Sequence, residues 1–372
     1  MFCCSGFNLR EWQVLNPAQK YTVGPRSKLL AALALLASAT TGAIASDSVE
    51  EAGQQLYLSG HAAPVDGTRT INLLCMGSGS PTVILTAGLG DWGAVWSKVQ
   101  PEVAKYTRVC AWDRAGAGFS DGSSAPQTVA QTTSDLERAI ERSGITGPYV
   151  MVGHSLGSLE SLLFTDRHSN EVAGLVFVDP SYPGQARQFE RVAPALSSFA
   201  DKFYKSSSAA MRRCSVAARN GDLKPDGADP DGCLRYPRHY APELARELAL
   251  RDASDSLRFE SAASLIENFK RSTEDLFNLD RRFGSIPLIV LTATKAEHMP
   301  EETPQEAVEQ LSAFMAERDR AHEELSRLST SGERRLVPTE HYIQLLRPDT
   351  VISAIVEVVG TSRTEIPNKP RP

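Results

Sequence analysis

One pentapeptide constrains this chain more than any other feature. Gly153-His154-Ser155-Leu156-Gly157 follows an apolar strand-like run, Tyr149 to Val152, and leads into a segment where Leu159, Leu162 and Leu163 recur at helical spacing. In a strand–turn–helix setting, G-x-S-x-G describes a turn sharp enough to hold the serine strained at its tip with Oγ exposed. The flanking positions must be glycine, because side chains there would collide with the neighbouring strand and helix. The helix N-terminus directs backbone N–H groups and a partial positive charge toward any oxyanion formed at the serine.

The rest of the chain supplies the sheet such a turn needs. Arg69 to Met76 alternates, with Ile71, Leu73 and Cys75 on one face, and reads as a strand. Further strands are expected at Thr82 to Thr86, Arg108 to Trp112, Gly174 to Val178, Leu288 to Thr292 and Arg335 to Val337. Helices are expected at Val95 to Ala104, at Ala130 to Ser143 with a mostly exposed surface, and at Asp349 to Val359. Strands alternating with helices predict an α/β fold: a mostly parallel sheet covered by helices on both faces. From about Pro183 to Gly284 strand signals vanish and short helical patterns alternate with polar loops. That block reads as a helical cap inserted between two strands. The predicted organisation is therefore a leader at 1–45, a core in two parts at 46–182 and 285–360, a cap at 183–284, and a charged, Pro-rich disordered tail at 361–372.

The leader carries an address. Arg26 and Lys28 precede the apolar run Leu29 to Ala37, and small residues lead to Ala43-Ile44-Ala45, the pattern of a cleaved export signal. The run is far shorter than the ~20 residues of a spanning helix, so no stable membrane anchor is expected. A secreted or periplasmic protein starting at Ser46 follows. The net charge of −6 over 372 residues argues against nucleic acid or an anionic membrane as the main partner. No C-x-x-C or Cys/His cluster suggests zinc. Asp113-Arg114-Ala115-Gly116-Ala117-Gly118 fails as a dinucleotide loop, because Asp121 stands where a third glycine is required. No cofactor is expected, and nothing bears on oligomeric state.

A serine nucleophile needs a base. His154 lies inside the turn and points away from the serine; His322 sits in the charged helical run Glu317 to Arg327 and is expected to be solvated. His341 follows the last strand and the turn Pro338-Thr339-Glu340, at the carboxyl end of a parallel sheet, where sites form. Two acids could orient it. Asp179 ends the strand after the nucleophile strand, and Glu297 lies several residues beyond the next. Asp179 is preferred because it stands at the strand end itself. Leu156 N–H and Leu89 N–H, the latter in the loop Ala87-Gly88-Leu89-Gly90, are the expected oxyanion donors.

Together these residues resemble the α/β-hydrolase superfamily over nearly the whole chain after the leader, apart from the cap. Ala87-Gly88 stands where the superfamily usually has His-Gly, and Ser158 where many members have glycine. Asp113-Arg114-x-Gly116-x-Gly118-x-Ser120 is similar to the loop after the family's fourth strand, and His341-Tyr342 with Arg347-Pro348 to its catalytic-histidine region. An acid after the sixth strand, as Asp179 would be, resembles one branch of the haloalkane dehalogenases; the commoner placement after the seventh strand has no aspartate here. Serine rather than aspartate at the turn disfavours dehalogenase and epoxide hydrolase chemistry. The resemblance implies about eight strands with the cap after the sixth. It also implies neighbouring second and fourth strands, which carry Cys75 and Cys110, so a Cys75–Cys110 disulfide follows from it. Cys214 and Cys233 bracket one Gly/Asp/Pro-rich loop and are expected to pair locally. The expected activity is hydrolysis of a small-molecule carboxylic ester through an acyl-enzyme. An amidase, lactonase or thioesterase would use the same residues, and a non-catalytic binding module is the alternative of a different class.

Overall fold

The computed structural model describes residues 56–365 except 60, 230, 238, 239 and 297. The leader at 1–45, residues 46–55 and the tail beyond 365 lie outside the described residues. Eight strands form one sheet: β1 (Ala62–Pro64), β2 (Thr70–Met76), β3 (Thr82–Thr86), β4 (Val109–Trp112), β5 (Tyr149–His154), β6 (Val172–Val178), β7 (Leu288–Ala293) and β8 (Gly332–Val337). Their order is β1-β2-β4-β3-β5-β6-β7-β8. β2 is antiparallel to both its neighbours, and every pairing from β4 to β8 is parallel.

The inner strands β3, β5 and β7 are buried along their whole length, as a sheet covered on both faces requires. Alternate residues feed two cores. Tyr149, Met151, Leu175 and Phe177 face one side, with Leu136 and Ile140 of α2 (Val129–Arg142) and Leu159 and Leu162 of α3 (Leu156–Arg167). Val150, Val152, Val176 and Val178 face the other, with Val103 of α1 (Gln100–Val103) and Ile355 and Val358 of α11 (Pro348–Glu365). β8 closes the sheet with Glu333, Arg334 and Arg335, charges that suit an unpaired edge and that hid its first three residues from a pattern-based reading.

The cap enters after β6 as four helices: α4 (Gln185–Val192), α5 (Pro194–Asn220), α6 (Pro242–Ser254) and α7 (Ser256–Asp275). α7 fastens it to the core through a polar seam. Arg258 donates to the carbonyls of Gly118 and Ser120, while Asp255, Ser261 and Ser264 accept from the amides of Gly122, Ser123 and Gln127 at 3.0, 2.8 and 2.9 Å. Gly116, with φ of 78°, lies against this helix: a Cβ there would stand 2.5 Å from the Arg258 carbonyl oxygen. The glycines of the Asp113–Gly118 stretch thus belong to a docking turn.

A second excursion, α8 (Gln305–Glu309) and α9 (Leu311–Ser326), separates β7 from β8; α10 (Ile343–Leu346) then precedes α11. Three expectations need correction. The stretch expected as one helix at Val95 to Ala104 is a 3-10 turn at Gly93–Trp96 followed by α1, whose start is set by Pro101. α2 is not mostly exposed: half its residues are buried, including Asp135, paired with Arg69 and Arg138, and Thr132, so polar groups mask an inward face. The tail is helical, not disordered, through Glu365.

Both disulfides are present. Cys75 and Cys110 stand directly opposite each other in the β2–β4 pair, and Cys214 bonds Cys233 within the cap. Among the described residues no helix is long and apolar enough to cross a membrane.

Candidate active site

Ser155 sits between β5 and α3 at φ 50° and ψ −120°. With Asp179, at φ 40°, it is one of the two non-glycine residues at positive φ among those described. Side chains are rarely held there without surroundings that enforce it. The enforcement is visible. Ser155 N–H donates to Val178 O at 3.2 Å, and its own carbonyl accepts from Ser158 and Ser181, both at 3.0 Å. A Cβ at Gly153 would lie 2.5 Å from Ser158 Cα, and one at Gly157 would lie 2.4 Å from Thr86 O. Both glycines are therefore obligatory, as the motif requires. Ser158, in place of a glycine, donates to Gly153 O at 2.8 Å and ties the turn across its base.

Asp179 terminates β6, and His341 follows β8. Their side chains meet across the carboxyl end of the sheet, with His341 Nδ1 2.6 Å from Asp179 Oδ2. The other carboxylate oxygen accepts from Ala293 N–H at 2.9 Å. Burial alone would raise the Asp179 carboxyl. The hydrogen bond and charge of His341, joined by the Arg318 guanidinium, outweigh burial and hold it well below the ordinary carboxylate range. An ionised carboxylate only accepts, so Nδ1 carries the proton and neutral His341 keeps Nε2 as its basic nitrogen. Ser155, Asp179 and His341 line one cleft. Glu297 lies outside the described residues.

His154 is fully buried, its ring centroid 4.5 Å from that of His341; burial first, then the neighbouring histidine, depresses its basicity. His322 corrects the sequence reading. It is buried, not solvated: Nε2 donates to Pro180 O at 2.9 Å, and Nδ1 lies 3.0 Å from the Thr292 hydroxyl. Burial pushes it down to about 4. It thus braces the Asp179-Pro180 turn as a neutral ring.

Leu89 and Leu156 are both buried at the expected places, in the loop after β3 and at the first position of α3. What holds that loop was not read from sequence. Arg114, buried after β4, donates from Nη1 to Gly88 O at 2.8 Å and from Nη2 to Ala87 O at 2.5 Å. The same guanidinium grips Glu160 of α3 through Nε at 2.7 Å and Nη2 at 2.6 Å, and Thr132 of α2 donates to that carboxylate. One ion pair therefore locks the loop carrying Leu89 to the helix carrying Leu156. The available signal was a glutamate amid the leucines of α3, a position that requires a buried partner.

The cleft is narrow, with a cavity volume of about 20 Å³, and is walled by cap and core aromatics: Tyr182, Tyr204, Phe269 and Phe314. Among the described residues no cluster of His, Cys, Asp or Glu is arranged to hold a metal ion.

An eight-stranded, mostly parallel sheet, a serine on a strained strand–helix turn, and an acid–histidine pair beside it define a class of α/β enzyme scaffold. A sequence model of the alpha/beta hydrolase fold matches residues 81–348, and the chain belongs to that family. Curated relatives align over shorter stretches. An uncharacterized protein of Schizosaccharomyces pombe is 40% identical over 89 residues, 24% of this chain and 17% of the relative. A putative carbamate hydrolase of Klebsiella pneumoniae is 31% identical over 102 residues, 27% of this chain and 38% of the relative. The chain spans less than half the length of these relatives. Among solved structures, a putative lipase from Acinetobacter baumannii superposes with a TM-score of 0.57 at 17% identity, covering 86% of this chain and 97% of its own. A putative epoxide hydrolase from Pseudomonas aeruginosa gives 0.53 at 17% identity, covering 82% and 97%. These likenesses show the fold.

Proposed function

We propose that the chain is an exported serine hydrolase that cleaves a carboxylic ester through an acyl-enzyme at Ser155. The observation that carries this reading is the 2.6 Å contact between His341 Nδ1 and Asp179, made in the cleft that Ser155 also lines. His341 Nε2 takes the serine proton as Oγ attacks the substrate carbonyl. Leu89 and Leu156 N–H bind the oxyanion, the protonated histidine returns its proton to the leaving alcohol, and water repeats the cycle on the acyl-enzyme. Asp179 fixes the tautomer and stabilises the imidazolium. Amides, lactones and thioesters fit the same steps. An aspartate nucleophile, which epoxide opening on this scaffold would use, is absent from the turn.

Export rests on the leader ending at Ala45 and is supported by the two disulfides, which persist in oxidising compartments. Kinetics with chromogenic esters test the chemistry. Ser155→Ala lowers kcat by roughly 10⁴-fold or more. Asp179→Asn costs about 10⁴-fold, as a misoriented imidazole does elsewhere, while Glu297→Gln changes kcat little. Near-normal turnover in Ser155→Ala overturns the nucleophile, and a crippled Glu297→Gln beside a healthy Asp179→Asn moves the acid.

A further inference from the structure

A cation faces the cleft with donors to spare. Arg318, on α9, is 11% exposed and lines the cleft together with Ser155. Its guanidinium offers five N–H donors. Nη2 is engaged, donating to Ala293 O and to Asp319 Oδ1 at 3.3 Å. Nη1 comes only within 3.7 Å of Asp179 Oδ2, outside hydrogen-bond reach, and Nε has no acceptor among the described residues. The Asp179 carboxylate is committed elsewhere, to His341 and to Ala293 N–H. Nε is sealed from solvent, so Nη1 is the donor left for an oxygen in the cleft.

The same guanidinium lines a second chamber, which shares Phe314, His341 and Asp179 with the first. Leu196, Met299, Leu311 and Met315 make its walls apolar, and the other cation lining it is Lys295, on the exposed turn after β7. An apolar chamber lined by a guanidinium and an ammonium suits an apolar arm bearing an anion. A carboxylate oxygen can accept from Nη1.

We propose that the substrate carries a free carboxylate on an apolar arm, and that Arg318, seconded by Lys295, recognises it. The proposal rests on the serine-hydrolase reading of Ser155 and adds the substrate class.

The test uses matched pairs of chromogenic esters, half-esters of adipic acid and of longer dicarboxylic acids, each compared with its methyl-capped neutral partner. The wild type prefers the carboxylate member by about tenfold or more in kcat/KM, the value of a charge-assisted hydrogen bond. Arg318→Met collapses that ratio, Arg318→Lys retains part of it, and Lys295→Gln reduces it for the longer arms. If Arg318→Met fails to fold, wild-type inhibition by free long-chain carboxylates against their amides reads the same contact, with the carboxylates the stronger inhibitors. Equal hydrolysis of both members, equal inhibition by carboxylate and amide, or an Arg318→Met loss shared equally by both members overturns the proposal while leaving Ser155 chemistry standing. Failure to cleave any ester, with Ser155 unlabelled by a fluorophosphonate, removes both readings.

Discussion

Arg114 and Glu160 show how much of a site can rest on one buried pair. Both are nearly fully buried, and the pair does not by itself imply stability, since taking two charges out of water costs about as much as their attraction returns. Its distinctive yield is positional: it holds the carbonyls of Ala87 and Gly88, the two residues before Leu89, against α3. Arg114→Met alone strands the Glu160 charge and destabilises by about 3–5 kcal/mol. The double variant Arg114→Met/Glu160→Gln restores most of that stability in denaturant titrations, yet keeps a lowered kcat with KM little changed. Recovery of kcat together with stability would reduce the pair to a structural role. Ser155, His341 and Asp179 were legible because each stands where a strand signal stops, and the glycine spacing marks the serine. Arg114, Arg318 and His322 were not. Their partners Glu160, Asp179 and Pro180 come from distant parts of the chain, and a charged or ionisable residue in a polar loop or helix gives no sign of its partner until the chain is folded.

At the level of elements, the cap is held at two places that act differently. The α7 seam pins it to the loop 118–129 through Arg258 and three shorter side chains. The Cys214–Cys233 loop is fixed by its disulfide, and Asp229 caps the Cys233 and Leu234 amides. Beyond it the chain reaches Tyr240, whose hydroxyl accepts from Trp92 Nε1 at 2.9 Å, just past the loop that carries Leu89. Replacing both cap cysteines by serine removes about 2–4 kcal/mol of constraint, by the usual worth of a disulfide. The expected result is a raised KM at temperatures where circular dichroism still reports a folded core. An unchanged KM up to global unfolding would disconnect this loop from the cleft. The strands were the most legible elements, since buried parallel strands are continuous apolar runs. α8 and the first half of α9 were not separated from the loops around them, and the helical run read at Glu317 to Arg327 covers only the second half of α9, because α9 buries Glu317 and His322 alongside Phe314 and Leu325 and so lacks a clean apolar face.

Across the whole molecule, buried neutral histidines set an acid limit. His322 is held down to about 4 in the folded state, while an unfolded histidine titrates near 6.5. Between those values the unfolded chain binds a proton that the native chain refuses, so stability falls as pH drops from about 6.5 to about 4. His154, depressed in the same direction by its burial, adds to the slope. Asp179 acts lower: its contribution is intact above the unfolded carboxylate value of about 4 and is lost only below it. Urea midpoints measured across that window should decline by the equivalent of up to about 3 kcal/mol for His322, and His322→Gln should flatten the decline. A midpoint independent of pH from 6.5 to 4 would contradict the buried, neutral ring.

The central claim is that strain in one turn, an acid–histidine pair and a clamped donor loop converge on Ser155. Covalent labelling by a fluorophosphonate, followed by peptide mass spectrometry, tests it most directly. A single adduct on the peptide carrying Ser155 is expected, abolished in Ser155→Ala, slowed by orders of magnitude in Asp179→Asn, and slowed in the Arg114→Met/Glu160→Gln double variant. Ester hydrolysis that continues while Ser155 stays unmodified, or an adduct at another serine that silences the enzyme, would contradict the account.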